Sequence, residues 1–136
     1  MANSTTIQTL VDGPRNTILK LDGLLDTSDQ GSTIIVDPAT LSDYNINGVK
    51  ATKLRINKIN FDVEDGLDVE LFWDASSPVR IGNFVGRGKV DAWRYGGIVN
   101  NAASPTGKIT LQTQGWSTGA ILSYTIVLEL VKQGPG

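Results

Sequence analysis

The residue types that most often carry out chemistry are missing from this chain. Its 136 residues include no histidine and no cysteine. Histidine is the commonest general base and metal ligand, and the cysteine thiolate is a strong nucleophile. We therefore expect a non-enzymatic protein that holds or binds a partner, with no catalytic residues, no metal ligands and no cofactor.

One pentapeptide has the spacing of a serine-hydrolase nucleophile. Gly115, Ser117 and Gly119 match the pattern G-x-S-x-G, which needs a helix after the serine and a histidine to accept the serine proton. Here no histidine exists, and the residues that follow alternate like a strand. The sequence predicts an ordinary turn between two strands at 115–119.

A glycine-bearing stretch at 82–89 loosely resembles a phosphate-binding loop. Asn83 stands where that motif requires its first glycine, and Val90 stands where it requires serine or threonine. No helix start follows that could receive an anion. We therefore expect no nucleotide site there.

Carboxylates could serve glycoside hydrolysis or bind a hard cation. Glu64, Glu70 and Glu129 are the only glutamates, and no pattern directs two of them into one cleft, as hydrolysis requires. Acidic residues also gather at 62–68 and 26–29, but neither group has EF-hand spacing. Solvated turns are the simpler interpretation, and cation binding at 62–68 stays open.

Aromatic residues offer a binding interpretation. Asp91, Trp93 and Tyr95 share one face of a strand predicted over 89–95, and Trp116 lies in a turn. Such side chains could stack on a sugar ring, but they also anchor cores and interfaces. We favour core or interface for these three aromatics, and Trp73 is expected in the core.

Period-two alternation predicts the elements that carry these residues. Leu54 and Ile56 alternate in one phase and the apolar residues at 59–63 in the other, which indicates a β-bulge near Asn57 and Lys58. Eight or nine strands separated by turn residues, without a substantial helix, predict an all-β, two-sheet antiparallel β-sandwich of jelly-roll type. A closed barrel is the alternative.

The last strand, at 120–131, has one fully apolar face. Its other face carries Ile121, Val127 and Val131 between polar residues. A half-apolar face suits contact with another subunit. Cover by the chain's own N-terminal segment explains it equally well.

Composition limits the partner classes. The net charge is −2, and the basic residues at 50–58 alternate between strand faces, so no nucleic-acid surface is expected. No apolar stretch is long enough to cross a membrane, and the first residues do not resemble a signal peptide. We expect one domain over 6–132, with a flexible arm at 1–5 and a disordered tail at 133–136.

Four stretches carry a family resemblance: LFWD at 71–74, VGRG at 85–88, GWSTG at 115–119 and YTIVLEL at 124–130. With them the chain resembles small virion proteins of tailed bacteriophages, of the capsid decoration or cement class. The resemblance implies a β-sandwich on the capsid surface that clamps neighbouring subunits of the major capsid protein and associates with itself, with a trimer favoured. A carbohydrate-binding module and a tail or neck component are the alternatives.

Overall fold

Nine antiparallel strands build the protein in the computed structural model. The structure describes residues 4–13, 15–29, 31–41, 50–100, 105–117, 119 and 121–133, with the backbone alone at Tyr95 and Pro105. The strands are β1 (Ser4–Asp12), β2 (Asn16–Leu25), β3 (Thr33–Val36), β4 (Lys53–Val63), β5 (Asp68–Ala75), β6 (Val79–Phe84), β7 (Arg87–Val90), β8 (Pro105–Gln114) and β9 (Leu122–Gln133). Two short 3-10 turns, Pro38–Thr40 and Ala92–Tyr95, complete the described elements.

The strands form two sheets with jelly-roll topology, which confirms the predicted fold. One sheet has the order β1-β2-β9-β4-β7, and the other has the order β3-β8-β5-β6. The pairs β2–β9, β3–β8, β4–β7 and β5–β6 are nested like the arms of one long hairpin that has been rolled up. This nesting defines a jelly roll. The described strands divide into two separate sheets, so the closed-barrel alternative is wrong.

The predicted bulge in β4 is confirmed. Ile56 pairs with Leu130 and Lys58 pairs with Glu129, which leaves Asn57 as the extra residue. Because of this extra residue, both Ile56 and Ile59 face the core, where each is fully buried. The bulge therefore keeps the apolar residues of β4 on one face along the strand.

Strand β9 lies in the middle of the five-stranded sheet. Tyr124, Ile126 and Leu128 point into the core, together with Trp73 from the opposite sheet, as predicted. The N-terminal strands continue the same sheet beside β9. The interpretation in which an N-terminal segment covers the outer face of β9 is therefore wrong.

The strand predicted over 89–95 is wrong beyond Val90. Strand β7 ends there, and the chain turns at 92–95, where the backbone N of Gly96 donates to Trp93 O at 3.2 Å. Gly96 has a φ of 87°, a left-handed conformation that glycine adopts without strain and that ends the turn. Trp93 and Tyr95 therefore do not share a strand face.

Strands β1 and β9 reach into the predicted arm and tail. Strand β1 begins at Ser4, two residues inside the expected arm, and β9 ends at Gln133. The rest of the predicted arm and tail lies outside the described residues.

Candidate interaction surfaces

The motifs that could suggest catalysis lie in ordinary structural positions. Ser117 lies in the connection between β8 and β9, with a strand and no helix after it. Within the acidic stretch 62–68, a turn at Asp65 and Gly66 joins β4 to β5. The geometry of a nucleophile elbow is therefore absent from the described part of the connection.

The three glutamates lie in different parts of the sandwich. Glu70 lies on the outer face of the four-stranded sheet, and it accepts from Arg80 at 3.0 Å and from Gln112 at 3.2 Å. Glu64 follows β4, and Glu129 lies on β9 in the other sheet. This arrangement does not place two glutamates at one cleft.

The acidic turns are engaged in local hydrogen bonds. Arg87 Nε donates to Asp62 at 3.1 Å, and Asp29 Oδ1 accepts from Thr113 Oγ1 at 3.2 Å and from Trp116 N at 3.0 Å. Within the described residues, no group of three or more acidic side chains is placed to hold a metal ion. The 62–68 turn therefore offers no preformed cation site in its described geometry.

The candidate residues Trp93 and Trp116 lie in two different connections, after β7 and after β8. Trp93 lies on the 3-10 turn beside β4 and is 58% exposed, with the Arg94 guanidinium 5.5 Å from its ring centroid. Trp116 follows β8 and packs against the core. The side chain of Tyr95 lies outside the described part. Trp93 is thus the candidate with a well-exposed ring.

The outer face of β9 is less open than its sequence predicts. Ile121, just before the strand, is 63% exposed, whereas Val127 is half-buried and Val131 is buried. Polar or charged residues flank both valines in the register of the sheet. Val127 lies between Lys20 and Asn60, and Val131 lies between Asn16 and Arg55. The structure therefore does not gather Ile121, Val127 and Val131 into one apolar patch.

A different apolar surface lies where β1 and β3 leave one side of the sandwich open. A groove of about 410 Å³ runs between these strands, and we call this region the open side. The groove is lined by Ile7, Thr9, Leu19, Ile34, Ile35, Val36, Asp37, Thr40 and Leu41. Sequence analysis missed it, although the uncharged stretch 4–11 was a usable signal.

Two of the residues that line the groove are well exposed. Ile7 of β1 is 42% exposed, and Ile34 of β3 is 52% exposed. Leu10 and Val11 of β1 are also exposed, but they do not line the groove, and Val11 is opposite the outward-facing Ile18. Contiguous apolar patches of this kind usually mark contacts with other macromolecules.

The remaining observations concern membranes and known proteins. The described residues form no helix that is long and apolar enough to span a membrane. Comparisons with protein-family models, curated proteins and solved structures found no match to this chain.

Proposed function

We propose that this protein is a non-enzymatic virion structural protein that binds the surface of a phage capsid and stabilises the shell by clamping neighbouring coat subunits. The observation that carries the proposal is that large apolar side chains are exposed in two separate parts of the fold. One is the open side, and the other comprises Trp93 and Val99 on the segment after β7. A clamp that also associates with itself, as the resemblance implies, needs one surface for the coat protein and another for its own copies.

The resemblance described above supplies the identity of the partner. We assign Trp93 and Val99 to the contact with the coat protein, because tryptophan is enriched among the residues that dominate interface energies. No cofactor takes part in this mechanism. The contact is adhesive and depends on shape and buried apolar area.

A single contact of this size is weak. Both side chains are already about half covered, so completing their burial contributes about 2–4 kcal/mol. Association itself costs about 4 kcal/mol or more. Binding therefore depends on the other residues of each contact and on avidity between many copies on one lattice.

An add-back experiment tests the proposal. Particles of the encoding phage that lack this protein are mixed with the purified chain, and the temperature at which the shell releases its DNA is measured. We expect the wild-type chain to raise this temperature. An unchanged release temperature at saturating protein would overturn the proposal.

Substitution of Trp93 tests the assigned surface. Loss of an interface anchor worth about 2 kcal/mol weakens binding by about 30-fold, so Trp93→Ala should bind the particles correspondingly less. Val85→Ala is the matched control, because Val85 is an exposed apolar residue outside both surfaces. Equal binding by the two variants would remove Trp93 from the contact.

The exposure of Trp93 also favours a second candidate, a carbohydrate-binding module. An exposed tryptophan ring can stack on a sugar. A glycan array separates the two candidates. Binding by the wild-type chain that is lost in Trp93→Ala, together with no effect on particles, would favour the carbohydrate module.

A tail or neck protein would instead be located away from the capsid surface by immunoelectron microscopy.

A further inference from the structure

The four edge strands of the sandwich differ in how well they resist pairing. Strand β7 has four residues, with Arg87 and Lys89 among them, and β3 also has four residues. Strand β6 carries Arg80 and a register irregularity opposite β5. Short length, positive charge and bulges are the usual features that keep sheet edges from pairing with other chains.

Strand β1 is the exception among these edges. It has nine residues, and from Ser4 to Val11 it contains no charge, no proline and no glycine. Its pairing with β2 is regular from Ser4 to Thr9, and the irregularity falls only between Thr9 and Val11. On the other side of β1, the described residues provide no strand. This edge is therefore suited to pair with a further strand.

The sequence of β1 is compatible with a second copy of itself. An antiparallel pair about a two-fold axis places each strand opposite its own sequence in reverse. Since the stretch from Ser4 to Val11 is uncharged, no like charges face each other across such a pair. Asp12, at the end of the strand, already pairs with Lys132 in the same chain.

The groove beside β1 provides the apolar contact for such a pair. Ile7 and Thr9 are opposite Leu21 and Leu19 of β2, so they lie on the inner face of the sheet. A second β1 would continue this face and bring its own Ile7 to the groove of the first copy. Each copy would therefore help to cover the groove of the other.

The open side is large enough for a stable contact. The nine residues of β1 extend about 30 Å, and two sheet layers that lie about 10 Å apart give a height of about 20 Å. Two copies would then bury about 1,200 Å² in total, which reaches the lower bound for specific protein interfaces.

We propose that two copies of this chain pair antiparallel through their β1 edges and form a continuous ten-stranded sheet, with Ile7 of each copy against the groove of the other. This inference goes beyond the proposed function, because it identifies the occupant of the open side and a two-fold contact. It differs from the trimer implied by the family resemblance.

Light scattering over a concentration series tests the stoichiometry. We expect a mass twice the 14.6 kDa of one chain. Ile7→Lys should raise the dimer dissociation constant at least about 10-fold, because it brings a charge to an apolar contact. Val85→Lys is the matched control and should leave the dimer intact. A monomer at the highest soluble concentration, a trimer, or equal behaviour of the two variants would overturn the proposal.

Single-cysteine crosslinking tests the geometry without relying on the lysine variant. The chain has no cysteine, so Thr6→Cys, Ile7→Cys, Gln8→Cys and Thr9→Cys each introduce one thiol. A residue on the two-fold axis faces its own copy at about 4.5–5.5 Å between Cα atoms, within disulfide range. Two residues further along the strand, the two thiols are about 13 Å apart.

We therefore expect self-crosslinking to peak at one position of β1 and to fall at positions on either side. Asn83→Cys, an exposed position in edge strand β6, is the control and should not crosslink. Equal crosslinking along β1 would indicate a parallel, in-register pair, and no crosslinking above the control would indicate no edge contact. Either result would overturn the proposal.

The two proposals fail separately. If Ile7→Lys is monomeric and still stabilises particles, the capsid function does not depend on the dimer. If the wild-type chain forms the dimer but does not stabilise the particles, the proposed capsid function is wrong and the proposed β1 dimer is unaffected.

Discussion

A buried ion pair between Lys132 and Asp12 provides a sharp test of the packing at one end of the sandwich. Lys132 lies on the inner face of β9, and its side chain is 0% exposed. Its Nζ donates to Asp12 Oδ1 at 2.7 Å and to Gly13 O at 2.6 Å, and its backbone N donates to Arg15 O. Lys132 therefore connects the end of β9 to the turn between β1 and β2.

Removing Asp12 and removing Lys132 should lower the free energy of unfolding by different amounts. Asp12→Ala leaves a buried ammonium without its carboxylate, and breaking a buried pair in this way costs about 3–5 kcal/mol. Lys132→Met keeps an apolar side chain of similar length in the core. The remaining Asp12 side chain is 26% exposed, so water can solvate it, and we expect a cost of about 1–2 kcal/mol.

Thermal unfolding and urea titration measure this difference. At about 4 °C per kcal/mol for a domain of this size, Asp12→Ala should lower Tm by about 12 °C or more and Lys132→Met by about 4–8 °C. The double variant should resemble Lys132→Met, because the buried ammonium that lost its carboxylate partner is gone.

An exposed ion pair serves as the control for this experiment. Asp62 and Arg87 lie 3.1 Å apart with both side chains largely exposed, so Asp62→Ala should change the free energy of unfolding by less than about 1 kcal/mol. Equal costs for Asp12→Ala and Lys132→Met, both as small as the control, would refute the reasoning. Such a result would mean that the ammonium of Lys132 is solvated.

Two further stability predictions concern backbone positions. Gly23→Ala should destabilise the fold by about 2 kcal/mol or more in urea titration, because the new methyl group would overlap the Tyr124 ring; a cost below about 0.5 kcal/mol would contradict this packing. Deletion of Asn57 removes the bulge residue and leaves Ile56 and Ile59 on the same face, so circular dichroism should show a folded protein. Deletion of Asn60, within the regular part of β4, shifts the facing of the residues around it and should unfold the protein. Equal outcomes for the two deletions would contradict the role of the bulge.

Much of the fold could be predicted from the sequence because alternation is a local signal. The change of phase between Ile56 and Ile59 was enough to locate the bulge, and the apolar face of the last strand identified a core strand. Trp93 and Tyr95 show the limit of this signal. An alternation of only two residues is compatible with a strand and with a 3-10 turn. The turn forms here because β7 stops pairing with β4 at Val90 and because Gly96 ends the turn.

The interaction surfaces were harder to predict because they depend on how strands that are distant in the sequence are arranged in the fold. Val131 has the sequence position of an outward-facing residue, yet it is buried, whereas Val127 on the same face of β9 is only half-buried. To predict the open side, one must already know that β1 and β3 are both edge strands on the same side of the sandwich. Lys132 is a charged residue on a core face, and only its distant partner Asp12 explains its burial.

The proposed virion role requires that a phage encodes this chain, and its most direct test is to count copies of the chain in purified particles of that phage. Quantitative mass spectrometry with labelled reference peptides gives the ratio of this chain to the major capsid protein. A capsid-decorating protein should be present in a fixed ratio to the coat subunits, with many copies in each particle. Absence from mature particles, or only a few copies in each, would contradict the account.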